Sequence, residues 1–536
     1  MFRKRKLDSL LLFLLLAITT LLCSVDDKPA LFGFLPKYVY DIDIEHQLKV
    51  DSTENGISEI SVFNPSLVLE YSVDGGDTWM QTNSNLELSE IKMKDLLSKS
   101  TSPRWLPNDG NFFEVKSLRV RVLDEIGRKI SYDKVVTLLP QEFQNIPVVS
   151  LNLRESDLFD WQNGLLLQGI SSQEQKPYLQ EWWYKPGNYQ ERGFDWERAV
   201  NFQYFVNGDL KVDQDCGIRI NGNATRAFPQ KSFRVLASKI YGNTSFNYSF
   251  WGNDNNQPSS IVLRNSGNDN TRTMFADLLV HRLFKDTEIL VQDGFPVNVY
   301  INGNYWGIFN LRERVDEFYI SQKRSWKATD ISILEEAGAN LKAGSELEKK
   351  RFDAMISGLP QNVPLTNDQF QKVSDEIELE SFIDYIIAET FIANCDWPNN
   401  NSTWYCKNGK RWKWLLNDTD YSLAYPGEEN VNTNLFDMLS TDQSCTAKLF
   451  NALISNSEFK AKFKVRALEI LQNQLSEAQI NLTFEGLKKL YLQDIEKTIR
   501  RWRTINSVTE WHHQCDANKK FLIERRSIYL IQIQAL

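Results

Sequence analysis

Between Asn394 and Tyr421 the chain reads NCDWPNNNSTWYCKNGKRWKWLLNDTDY, and this stretch restricts the possible folds more than any other. Asn408-Gly409 stands between two aromatic-rich runs, STWYCK and RWKWLLN, the strongest short signal for a β-hairpin. The preceding SFIDYIIAETFIAN has the pattern of a helix. The expected order is therefore helix, polar loop, strand, tight turn, strand, acidic loop. Three acids lie in this stretch. Asp396, with Asn401 five positions on, falls at one rim of the hairpin, and Asp418 and Asp420 fall at the other.

Those residue types at those rims suit phosphoryl transfer. In eukaryotic-type kinases an Asp orients or deprotonates the attacking hydroxyl, an Asn five residues later holds a metal ion, and an Asp after the next hairpin holds Mg²⁺. Mg²⁺ is a hard cation that takes oxygen ligands and needs only one or two carboxylates beside the phosphates. Taken alone, Asp-x4-Asn is equally the mark of an Asx-rich surface loop.

Other segments narrow the reading. Gly217-Ile-Arg219-Ile-Asn-Gly222-Asn-Ala-Thr-Arg226 forms a turn after the LKVDQDCGIRI strand, and Pro229-Gln-Lys231-Ser-Phe-Arg234 opens the next one. These segments resemble the CotH kinase family, the spore coat protein H type of secreted or coat-associated kinases. So do Asp396, Asn401-Ser-Thr-Trp-Tyr405, Trp412, Asp418-Thr-Asp420 and the run 294–318, where Glu313 holds the acid position. The chain departs from the family at Asn417, where an aromatic residue is usual, and at Leu423-Ala424, where Phe-Gly is usual.

The resemblance implies an atypical, two-lobed protein-kinase-like domain over residues 146–536 that uses ATP with Mg²⁺ or Mn²⁺. It gives Asp396 the Ser/Thr hydroxyl of a protein substrate, a coat or cell-surface protein being the expected class. Asn401, Asp418 and Asp420 become metal ligands. Lys231, Arg219, Arg226, Arg272, Glu313 and Trp412 become nucleotide-side residues, with Lys231 on the phosphates and Trp412 stacked on adenine. The alternative is a kinase fold kept as a non-catalytic scaffold that binds a surface or polysaccharide partner.

Alternation places Lys231 on the Phe233 and Val235 face of its strand, where a lone cation is expected to need an anionic partner. The following helix repeats Phe275, Leu278, Leu279 and Leu283 on one face, with Arg272 expected in its first turn. Its middle offers only Asp277 and His281, so the partner of Lys231 stays unassigned; Glu313 is one candidate, and is also readable as an exposed acid or a metal ligand.

Upstream, a basic start and an apolar run from Leu10 to Cys23 predict a signal sequence over residues 1–24, readable either as a plain secretory signal or as a lipoprotein signal, in which case a lipid on Cys23 is the membrane link. Residues 25–145 alternate in short runs split by Gly, Asn and Asp, which predicts an immunoglobulin-like β-sandwich and makes the whole chain α+β. A formal charge of −9 without a long basic run disfavours a nucleic-acid partner. Four His without His-Glu-x-x-His and a chain without Gly-x-Ser-x-Gly remove support from the common hydrolase routes. Six Cys without a Cys-x-x-Cys pair exclude a zinc ribbon and leave single buried thiols as the expectation. Beyond residue 444, amphipathic segments predict a helical lobe under the hairpin.

Overall fold

The structure is a computed structural model that describes residues 48–53, 56–82, 85–108, 110, 112, 115–139, 146–174, 181–252, 257–336, 340–360, 363–425 and 427–536. The expected signal sequence, Cys23 included, lies outside the described residues. What is described is an α+β chain of several sheets and a large helical body.

The alternating runs before residue 139 form two antiparallel sheets. One has the order β1-β2-β5, from β1 (Leu48–Thr53), β2 (Gly56–Val62) and β5 (Asn85–Glu87). The other is β4-β3-β6-β7, from β3 (Val68–Ser72), β4 (Met80–Thr82), β6 (Lys116–Leu123) and β7 (Lys134–Leu138). Because side chains alternate across a strand, Ile60 and Leu86 from one sheet meet Leu69, Leu118, Val120 and Val122 from the other in one apolar core. Leu96 and Leu97, in the segment between β5 and β6, turn away and enter the core of the next unit.

That unit is a closed barrel of seven strands: β8 (Val148–Asn152), β9 (Arg198–Val206), β10 (Asp209–Asn221), β11 (Ser232–Leu236), β12 (Ser260–Arg264), β13 (Gly294–Ile301) and β14 (Asn304–Glu313), ordered β10-β11-β12-β14-β13-β8-β9. Only β13 and β8 pair in parallel. Two Asn-Gly hairpins close it, with positive φ at Asn207 and Gly208 and at Asn302 and Gly303. Ile218, Phe233, Val235, Ile261, Leu263 and Leu311 fill the interior. Alternation then sends Arg219, Arg234, Arg264 and Arg312 to the outer face, where Arg219 lies opposite Arg234, and Val262 lies between Arg234 and Arg312.

The hairpin read from the sequence is present as β17 (Thr403–Lys407) and β18 (Lys413–Leu415), in a sheet with β15 (Ile331–Glu335) and β16 (Asn340–Ala343) ordered β16-β15-β17-β18. Its loop is longer than expected. Of Asn408 and Gly409 only the glycine has positive φ, and Trp412 leaves the ladder to bridge Ile377. Helix Leu379–Phe391, buried at every position from Ser381 on, runs beneath the sheet. Around it pack the helices from Leu435–Thr441 to Val508–Ala535. Helix Ala276–Leu283 joins this body to the barrel, since Phe275 at its start packs on Phe484 and Tyr491.

Candidate active site

The outer face of β12 and β14 meets helix Ala276–Leu283 and the acidic loop that follows β18. Asp277, alone among the apolar residues of its helix turn, is buried and takes an ion pair from Arg312. Its Oδ1 accepts the Thr419 amide at 2.8 Å and the Thr419 hydroxyl at 3.0 Å. His281 accepts the Gln292 amide on Nδ1 at 2.9 Å, leaving Nε2 3.4 Å from Asp277 Oδ1. Burial alone would raise the Asp277 carboxyl, but Arg312, His281 and Arg264 hold it well below the usual carboxylate range. Thr419 is thereby fixed, and its neighbours Asp418 and Asp420 both turn to Arg264.

Arg264 Nη2 donates to Asp418 and, at 2.5 Å, to Asp420 Oδ2. Asp420 also accepts the Asn268 amide at 3.1 Å and its Nδ2 at 2.9 Å. The approach requires glycine at 267: its φ is 58°, and a Cβ there would lie 1.7 Å from Asp420 Oδ2. Burial, then the charge of Asp418, pushes Asp420 well above the usual range despite Arg264. Asp418 is the exposed member, its side chain 38% accessible against 4% for Asp420.

The other rim carries Asp396, whose two oxygens accept Asn400 Nδ2 at 2.7 Å and Asn401 Nδ2 at 3.0 Å. Asn401 and Asp418 both adopt left-handed backbone, φ 60° and 55°, which Asn and Asp tolerate better than other side chains. The two rims are pinned together. The Cys395 amide donates to Tyr421 O at 3.0 Å and the Leu423 amide to Ile392 O at 2.8 Å. Asn430 Nδ2 reaches the carbonyls of Ala393, Leu423 and Tyr425 at 3.2, 2.9 and 2.8 Å. Beneath them Asn394 accepts the Asp396 amide and donates to Glu389 Oε2 at 2.9 Å. Glu389 is fully buried, and burial, augmented by Asp277 and Asp418, pushes its carboxyl up to about 8.

A family model described as CotH kinase protein matches residues 218–529, more than half of the chain and all of this site. The chain belongs to the CotH kinase family. No curated protein matches it.

In this member of the family the structure brings Asp396, Asn401, Asp418 and Asp420 to adjoining loops, and it gives the remaining expected residues other surroundings. Among the described residues, Lys231 has no anionic partner. It is fully buried, donating to the carbonyls of Arg226 at 2.8 Å and Phe228 at 3.0 Å with the Tyr189 ring 4.0 Å away, so carbonyl dipoles and a ring face replace the anion expected from the sequence. Glu313 is not its partner and is not exposed: it pairs with Lys323 at 2.9 Å. Trp412 cannot stack on a nucleotide, because it is fully buried against Phe352, ring centres 5.4 Å apart. Arg226 is spent on the carbonyls of Tyr189, Ile220 and Glu191. Arg219 forms a two-pronged pair with Glu197 on the barrel face. Arg272 precedes its helix rather than lying in the first turn; it donates to Gln514 Oε1 at 2.7 Å and sits by the Tyr425 ring.

Among the described residues, no cluster of three or more His, Cys, Asp or Glu side chains is arranged to hold a metal ion. The donor chemistry nevertheless fits a hard divalent cation. Asp418 and Asp420 offer carboxylates, Asn401 an amide oxygen, and three carboxylates with Asp277 outnumber the two arginines that serve them. Sequence reasoning missed Arg264, Asn268, Glu389 and Asn430. The single polar residue in an apolar helix turn, Asp277, was visible, and its role as anchor for Thr419 was not.

Proposed function

We propose that this CotH kinase transfers the γ-phosphoryl group of ATP to Ser/Thr hydroxyls of an extracytoplasmic or coat protein. The observation that carries the reading is the pinning of the Asp396–Asn401 loop to the Asp418–Asp420 loop by the Cys395 to Tyr421 hydrogen bond. Asp396, oriented by two asparagine amides, accepts the substrate hydroxyl proton or aligns the hydroxyl for attack. Asn401, Asp418 and Asp420 hold Mg²⁺ or Mn²⁺, which when bound neutralises charge on the phosphates. Cation binding at Asp418 requires Arg264 to give up part of its hold there. The two sheets before residue 139 read as an immunoglobulin-like accessory unit, and residues 1–24 as an export signal whose Cys23 is the candidate for lipid attachment.

A scaffold without catalysis is the second reading, favoured by Arg264 occupying both carboxylates and by buried Leu423 and Ala424 where the family has Phe-Gly. The deciding experiment incubates the purified chain with labelled ATP, Mg²⁺ or Mn²⁺ and a casein-like acceptor. Label transfer is expected, lost in Asp396→Ala with ATP affinity nearly unchanged and lost in Asp418→Ala together with metal-dependent ATP affinity. No transfer, and no rise in Tm with ATP and metal, overturns the kinase reading.

A further inference from the structure

The outer face of β10, β11, β12 and β14 carries more arginine than the acidic loop accounts for. Arg312 and Arg264 serve Asp277, Asp418 and Asp420, as described. Arg219 is held by Glu197, which also accepts the Tyr241 hydroxyl at 2.8 Å. Arg314, just beyond β14, is held by Asp316. Arg234 is different. It lies opposite Arg219 in the ladder and half-buried, yet among the described residues its guanidinium makes no hydrogen bond and no ion pair, and its Nε is shut away from solvent without a partner. Burial, then the charges of Arg314 and Arg219, pulls it down to about 10, with Asp316 and Glu197 pulling the other way.

An arginine desolvated between two others is costly unless an anion or hydrogen-bond acceptors join it, and Arg234, unlike Lys231 and Arg226 with their carbonyls, has neither among the described residues. The neighbouring acids are each held by another arginine, so Arg234 is the arginine of this face left without an anionic partner among the described residues. Arg264 stands on the same face, one strand over from β11 and two residues beyond Val262, the Cα partner of Arg234. Diagonal neighbours of this kind lie roughly 7–8 Å apart. A planar guanidinium suits two oxygens of one phosphate. From this geometry we infer that Arg234 is the phosphate-binding cation of the site, taking the polyphosphate chain of a nucleotide along the outer barrel face toward Asp418. This deepens the kinase reading and rests on it for the nucleotide, while the anion site itself stands on Arg234.

The test titrates the purified full chain with tripolyphosphate in chelator-treated buffer, comparing Arg234→Met with Arg128→Met, a control that removes the same charge from an exposed turn far along the chain. Arg234→Met should bind at least tenfold more weakly and Arg128→Met as the unchanged chain does. Because Met fills similar space without an unpaired charge, the Tm of Arg234→Met should be unchanged or higher. Equal binding by Arg234→Met, equal loss in Arg128→Met, or a Tm lowered by more than ~5 °C, which marks a structural arginine, overturns the inference. Labelled-ATP assays separate it from the kinase reading. Label transfer with an unchanged KM for ATP in Arg234→Met sinks the inference alone. Arg234-dependent tripolyphosphate binding without label transfer sustains the inference and removes the kinase.

Discussion

A lysine ammonium fully out of water needs each proton accepted close by, and Lys231 meets that need with two carbonyls and the Tyr189 ring. Alternation along β11 made its inward position legible from the sequence. The carbonyls belong to the short turn at 224–228, whose path no pattern of residue types specifies, so the partner was not legible. Lys231→Ala leaves those carbonyls unsatisfied and opens a cavity, and is expected to cost about 2–4 kcal/mol in a urea titration. ATP affinity of the folded fraction should stay unchanged; a selective loss of affinity with full stability would restore the phosphate role. Glu389 gives a pH prediction. Its folded carboxyl is pushed up to about 8 against a usual 4.5, so between those values the folded chain holds a proton that the unfolded chain releases. Stability from this group therefore falls as pH rises from about 4.5 to 8, on the order of a few kcal/mol. Glu389→Gln should flatten that slope in metal-free melts, and an identical slope in the variant would show that another group titrates.

The same division between legible and illegible recurs among the elements. The β17–β18 hairpin was read correctly from Asn408-Gly409 and its aromatic flanks, as were the helix before it and the amphipathic helices after it. The loop was misjudged because Trp412 is held by helix ends: its amide donates to Glu376 O at 2.8 Å and its carbonyl accepts the Glu378 amide at 2.9 Å. Tertiary bonds of that kind leave no trace in local spacing. Asn430 is a further case. It sits in an Asn- and Glu-rich run with the composition of any surface turn, yet its side chain ties the Asp396 loop to the loop after Asp420. Asn430→Ala removes an amide whose two N–H donors are shared among three carbonyls and should cost about 1–3 kcal/mol. Because the two rims are then free to separate, turnover should fall further than stability does, read as kcat at a temperature where both proteins are fully folded. Loss of stability with wild-type kcat would make Asn430 a structural clamp without influence on the site.

At the scale of the whole molecule, the sequence suggested two units divided near residues 145 and 146, and the structure shows how closely the first is fitted to the barrel. Leu96 and Leu97 are buried in the barrel's own apolar cluster. The Leu96 amide donates to Asn304 Oδ1 at 3.1 Å, and Asn304 Nδ2 donates to Lys94 O at 2.9 Å. Thr101 and Ser102 give their hydroxyls to the carbonyls of Pro229 and Ala227 at 2.7 and 2.6 Å, beside the turn that holds Lys231. Gly75 approaches Leu153 so closely that a Cβ would lie 1.7 Å from its carbonyl oxygen. Asn304 and Gly303 belong to the hairpin that joins β13 to β14; that this hairpin also receives the neighbouring unit depends on contacts about two hundred positions apart, which periodicity cannot report. Buried polar groups shared across a joint make separate unfolding costly, since each half would expose apolar surface and orphan the other's donors. The full chain should therefore melt in one transition by calorimetry, and Leu96→Ala, a truncation inside the barrel cluster, should lower that single transition by about 2–5 kcal/mol of stability. Two resolved transitions, with Leu96→Ala moving only the weaker, would instead mark the first unit as an independently folding attachment whose contacts with the barrel contribute little.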